Sequence, residues 1–152
     1  MSQLKIKEAL FNQCEIFVNK RLHTVTEIIS SNQKALQSET KSSAGDKHET
    51  GRAMLQLEME KAGQQLTGIT LMKEILAKIE VNKISTVAHL GSVVETASIN
   101  YFLSISAGQI TIDHKVYFAI SVSSPIGKLL LGKKVGDEIF FNGNIINILS
   151  LK

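Results

Sequence analysis

QSETKSSAGDKHETGRA, residues 37–53, is polar, rich in Ser and Gly, and nearly without apolar side chains. It separates two long runs whose apolar residues recur at helical spacing, so the chain must turn within it. Two antiparallel helices joined there form a hairpin, and whatever stands at the turn is carried to its far end. Two acidic residues stand there, Asp46 and Glu49.

Upstream, Leu4, Phe11, Val18 and Val25 are spaced by heptads, as are Leu22, Ile29 and Leu36, while Cys14 and Ile28 share a further row with Arg21 between them. Downstream, Leu55, Ala62, Ile69 and Leu76 repeat the spacing, and Met59, Leu66, Met72 and Ile79 fill the complementary positions. Such rows make one apolar stripe on each helix, and two stripes joined by a short polar turn bury each other as an antiparallel coiled coil. With about 33 residues per arm at ~1.5 Å rise, the hairpin should reach roughly 50 Å. The other use of such stripes is half of a helical bundle completed by a second copy. Cys14 falls within the stripe, where a thiol is an inert apolar residue.

The 152 residues suit one domain or two small ones, with 43% hydrophobic residues, 5% aromatic, no Trp, one Pro and a net charge of +3. So mild a positive balance permits a nucleic-acid partner without arguing for one. A single cysteine excludes an intrachain disulfide and a cysteine-rich zinc site, and points to a reducing compartment. Charges interrupt the apolar residues of the N-terminus, so no signal-peptide core stands there, and no stretch approaches the ~20 apolar residues of a membrane span. A cytoplasmic, soluble chain without a membrane partner is expected.

Near Ile84 the composition shifts to Val, Ile, Ser, Phe and Gly, and period-two patterns replace the heptads. Val87–Glu95, Ile99–Ile105, Gln109–Ile112, Val116–Val122, Glu138–Phe141 and Ile145–Leu151 read as strands. Pro125–Leu131 reads as a short helix with Pro early and Gly132 closing it, and Asn142–Gly143 is a hairpin turn. The expected fold is α+β: a helical hairpin over residues 1–82, its acidic tip near 44–51, then an antiparallel sheet with one short helix over 83–152.

Within that second half, SVSSPIGKLLLGKKVGDEIFF, residues 121–141, resembles the C-terminal domain of the Gre family of bacterial transcript-cleavage and elongation factors. The matching pattern is a strand, Ser124-Pro125, a short helix through Leu129 and Leu130, Leu131-Gly132-Lys133-Lys134-Val135-Gly136-Asp137-Glu138, and a closing strand. At the tip, Gly45-Asp46-x-x-Glu49 stands where such factors carry Gly-Asp-x-x-Glu; elsewhere the hairpin matches in architecture rather than in residues. The resemblance implies an FKBP-like globular domain that docks on RNA polymerase beside its secondary channel, with Ser124 and Pro125 in the contact region. It further implies that the coiled coil enters the channel and brings Asp46 and Glu49 to the polymerase's Mg²⁺ site. There they would help hold a second ion and position the water that cuts backtracked RNA. The chain would then be no enzyme itself and would bind no cofactor alone. It would meet nascent RNA indirectly, and DNA binding is expected. A monomer is expected, with self-association left open.

Bottom-up chemistry at the tip is compatible with this and with less. Carboxylates three residues apart on a helix can converge on one cation, yet two make a poor Mg²⁺ site because the ion wants six oxygens and keeps waters or borrows phosphates. Donation to a site held elsewhere suits them better. Asp46-Lys47-His48-Glu49 is equally a capping box, with Asp46 as N-cap and Glu49 reaching back. Lys47, Thr50, Gly51 and Arg52 depart from the family's tip pattern, and Lys47 and Arg52 nearly cancel the two negative charges. They leave open a channel-binding regulator without cleavage activity. His23, His48, His89 and His114 are scattered, and neither a nucleophile elbow nor a phosphate-binding Gly-rich loop is present. Asp137–Glu138 after Gly136 reads as turn chemistry. Lys20, Arg21, Lys34, Lys41, Lys47, Arg52 and Lys61 read as a solvated helix surface. A prolyl isomerase or chaperone is the remaining alternative; its pocket would have to come from Tyr101, Phe102, Tyr117, Phe118, Phe140 and Phe141, which sit in core-like strand patterns.

Overall fold

The computed structural model describes residues 2–41 and 45–152, with side chains at all of these except 39–41 and 45–48. Two long helices come first, α1 (Gln3–Lys41) and α2 (Gly45–Ala77). Strands β1 (Val93–Thr96), β2 (Asn100–Ser104), β3 (Gly108–Ile112) and β4 (Lys115–Ser121) follow, then a short helix α3 (Pro125–Leu130), β5 (Glu138–Phe141) and β6 (Asn144–Leu151). The class is α+β. None of the described helices is long and apolar enough to cross a membrane. The chain forms two compact units, Val18–Lys73 and Met1–Phe17 with Glu74–Lys152, so the unit boundary cuts both long helices.

In the helical unit the two helices run antiparallel, and Asn32 Nδ2 of α1 donates to Glu58 Oε2 of α2 at 3.1 Å. Val18, Val25, Ala62 and Ile69 are buried, while Leu22, Ile29, Leu55, Met59, Leu66 and Met72 are half-buried. The heptad rows do not hold along the whole of α1. Leu4 and Ile28 are 43% and 40% exposed. An α-helix has 3.6 residues per turn, so a seven-residue row drifts ~20° per heptad; the row through Cys14 and Ile28 leaves the seam, while the row through Val18 and Val25 stays in it. Asn32 then takes the seam position seven after Val25, where an apolar residue is the usual occupant.

The other unit is a six-stranded sheet in the order β3-β4-β2-β1-β6-β5. It is mixed, not antiparallel as the alternation suggested: β2 and β4 pair in parallel, with Tyr101 opposite Phe118 and Ser104 opposite Ser121. After β2 the chain crosses the end of β4 and returns as β3, pairing antiparallel with β4 through a hairpin at Asp113 and His114, both at positive φ. Period-two alternation fixes which face a residue occupies, not which strand inserts between two others. Asn142 and Gly143, at φ 51° and 79°, make the expected tight turn between β5 and β6.

The expected strand at Val87–Glu95 is shortened to Val93–Thr96. Gly91 stands at φ 94° and breaks the extension, and a Cβ there would lie 2.9 Å from Ile79 Cγ2. Ahead of it, Ala88 exchanges two main-chain hydrogen bonds with the exit of α3, at Lys133 O and Gly132 N. One sheet face packs Val94, Tyr101, Leu103, Ile139 and Ile148 with Leu130 of α3. On the opposite face, Phe102 and Ser104 are also fully buried, and Cys14 of α1 lies against Ser104, Sγ to Oγ 3.7 Å. Burial pushes the Cys14 thiol up, with the Ser104 contact opposing, which keeps it the inert residue its place in the stripe suggests. Lys7 is buried too, its Nζ donating to Lys83 O at 2.8 Å, and burial lowers its pKa.

Where β1 and β6 shift register beside Glu95, that carboxylate binds Lys152 at 2.6 Å and Lys115 at 2.9 Å. Burial pushes its pKa up, but the hydrogen bonds and charges of Lys152 and Lys115 outweigh it and hold the group below the usual range. A depressed folded-state pKa contributes stability above the unfolded value, roughly 4.3, that is lost as pH falls through the folded one. Urea unfolding between about pH 5 and pH 3 should therefore show a steeper loss for wild type than for Glu95→Gln. Parallel pH profiles would contradict the ion-pair role.

Candidate functional site

α2 begins at Gly45, so Asp46 and Glu49 both lie in its opening turns, three residues apart. Residues three apart on a helix have Cβ atoms about 5–6 Å apart, and the positive end of a helix dipole favours acidic residues. The capping-box reading falls on the side chain of Asp46 and on residues 42–44, which lie outside the described residues. The side chains of Lys47 and His48 lie outside them as well. Glu49 and Arg52 are exposed, and Gly51 is half-buried. A carboxylate exposed on a helix end can add oxygens to an ion whose other ligands come from elsewhere.

Among the described residues, no three of His, Cys, Asp and Glu come together as a metal site. His23 lies 3.6 Å from Glu27 on the exposed surface of α1. His114 occupies the β3–β4 turn, and His89 Nδ1 lies 2.9 Å from Ser92 Oγ.

The second candidate region is the start of α3. Ser124 is its N-cap, at φ −69° and ψ 159°, and Pro125 opens the helix with a φ suited to that place. The Ser124 hydroxyl is engaged both ways: it accepts from Gly127 N at 3.1 Å and donates to Ser121 O at 2.6 Å. Gly127 is required, since a Cβ there would fall 2.2 Å from Ser121 O. The helix closes with Leu131 N bonded to Gly127 O at 3.0 Å and with Gly132 at φ 82°. Asp137 then accepts from Lys134 N at 2.8 Å, which is the turn chemistry its sequence context suggests.

Ser124 thus builds the loop, and the surface the loop presents is Pro125 and its neighbours. Lys128 is exposed beside it, as are Leu129, Leu131 and Val135 at 37%, 38% and 57%. In the sequence these three appear only as members of the run from Ser121 to Phe141, with no face assigned to them. The available signal was three successive leucines, two ending a six-residue helix and Leu131 at its C-cap, which cannot all face inward. Of the aromatic residues, Tyr101, Phe102 and Tyr117 are buried, whereas Phe140 is 68% exposed, opposite Ile145.

The chain matches no known protein-family model and no curated protein. Ser124→Ala should cost about 1 kcal/mol of stability by removing the cap, read by urea unfolding. An unchanged midpoint would show that the hydroxyl contributes nothing to the loop.

Proposed function

We propose that the chain is an RNA polymerase-binding transcription elongation factor of the Gre type. Its FKBP-like sheet domain docks beside the secondary channel through the surface around Ser124 and Pro125, and the helical hairpin enters the channel. Asp46 and Glu49 join the polymerase's own ligands around a second Mg²⁺, and the polymerase then hydrolyses its backtracked RNA faster. Two ions ~3.5–4 Å apart stabilise the attacking and leaving oxygens of an in-line cleavage. This chain's part is to place negative charge; the hydrolysis belongs to the polymerase.

One observation carries the reading. The run from Ser121 to Phe141 folds as a strand end, a Ser-Pro-capped helix, a Gly-closed exit, an Asp137-bonded turn and a strand, the order in which the resembling residues occur. The opening of α2 beside Asp46 and Glu49 adds support. A specific feature favours the second reading, a channel-binding regulator without cleavage. Lys47 and Arg52 bring two positive charges beside the two carboxylates, and Gly51 weakens the helix that holds them.

A stalled, backtracked elongation complex separates the two. Under the first reading RNA cleavage rises with wild type, and Asp46→Ala and Glu49→Ala each lower the stimulation by at least about ten-fold while binding persists. Wild-type binding without cleavage selects the regulator. No binding to polymerase removes both.

A further inference from the structure

We infer that the hairpin carries a built-in bending layer, residues 20–27 of α1 against 63–70 of α2, at which it flexes while the turns on either side stay helical. The level of the two stretches is set within the helical unit. Asn32 meets Glu58 at 3.1 Å, and Ile28, Ser31 and Asn32 line one groove with Glu58, Ala62 and Gln65. In an antiparallel pair each step back along α1 is a step forward along α2, which brings 20–27 level with 63–70.

On α2 this layer contains Gly63 and Gly68. A Cβ built at either would meet nothing within 4 Å, and neither has a positive φ, so neither packing nor conformation asks for glycine. What glycine does in a helix interior is weaken it, through backbone entropy that alanine would not lose. The two glycines stand on different faces of α2, so they do not form a close-packing stripe.

Four threonines weaken the same layer in another way. Thr67 Oγ1 donates to Gly63 O at 3.1 Å and Thr70 Oγ1 to Leu66 O at 2.9 Å. On the facing helix, Thr24 Oγ1 donates to Lys20 O at 3.1 Å, and Thr26 Oγ1 to Leu22 O and His23 O, both at 2.9 Å. A hydroxyl on the carbonyl one turn back competes with the helix's own bond and bends the axis. Both helices are therefore softened at one level, and the buried Val25 and Ile69 remain as the apolar pivot. This inference does not depend on the proposed function, because it concerns the hairpin alone.

Amide hydrogen exchange on the full chain tests it. Protection in wild type should pass through a minimum at 20–27 and 63–70, with slower exchange on both sides. Gly63→Ala/Gly68→Ala should slow exchange in that layer by about ten-fold and leave the β2 and β4 amides unchanged. Thr67→Ala/Thr70→Ala should slow the same layer by an independent route. Protection that declines steadily from the base of the hairpin to its tip, or variants that slow every amide alike, would overturn the inference.

Discussion

β2 has to be buried on both of its faces. Tyr101 and Leu103 point to one side, Phe102 and Ser104 to the other, and all four are at most 6% exposed. A sheet strand with two dry faces needs cover on each. Leu130 of α3 is part of that cover on one side, and Cys14 against Ser104 brings the first turns of α1 to the other. The first turns of α1, up to Phe17, are therefore part of the same compact unit as Glu74–Lys152.

Much of this was readable in the residues. Period-two patterns located β5 to the residue and β2, β3, β4 and β6 to within one or two, because alternation of burial is a direct consequence of the pleat. Pro125 and Gly132 bounded α3 for equally local reasons. What was not readable depended on partners distant in sequence. The parallel pairing of β2 with β4 follows from β4 inserting between β3 and β2. The loss of strand at 87–92 goes with Gly91 at positive φ and with the bonds of Ala88 to Gly132 and Lys133, more than forty residues away. Lys7 offered no signal at all, since its burial rests on the carbonyl of Lys83, seventy-six residues away.

The candidate site shows the same division. The spacing of Asp46 and Glu49 placed them on one helical turn, and α2 does run through both. Ser124 was legible in the residues ahead of Pro125, and the structure adds that its hydroxyl is bonded within the loop, beside the exposed Pro125, Lys128 and Leu129. At the tip, the attraction between two carboxylates and a metal competes with Lys47 and Arg52 in the same turns. Under the proposed function, the outcome of that competition would decide between cleavage and occupancy of the channel alone. A hairpin softened midway adds a further condition, because a partner that needs it straight must select one member of its conformations.

The central claim is that Asp46 and Glu49 reach another machine's catalytic metal. Fe²⁺ substituted for Mg²⁺ in a stalled polymerase complex releases hydroxyl radicals that cut any protein chain close to the ion. If the claim holds, the cuts in this chain cluster at the opening turns of α2, around Asp46 and Glu49, and disappear when the complex is omitted. Cuts confined to α3 and the sheet, or none in this chain while it is bound, would contradict it.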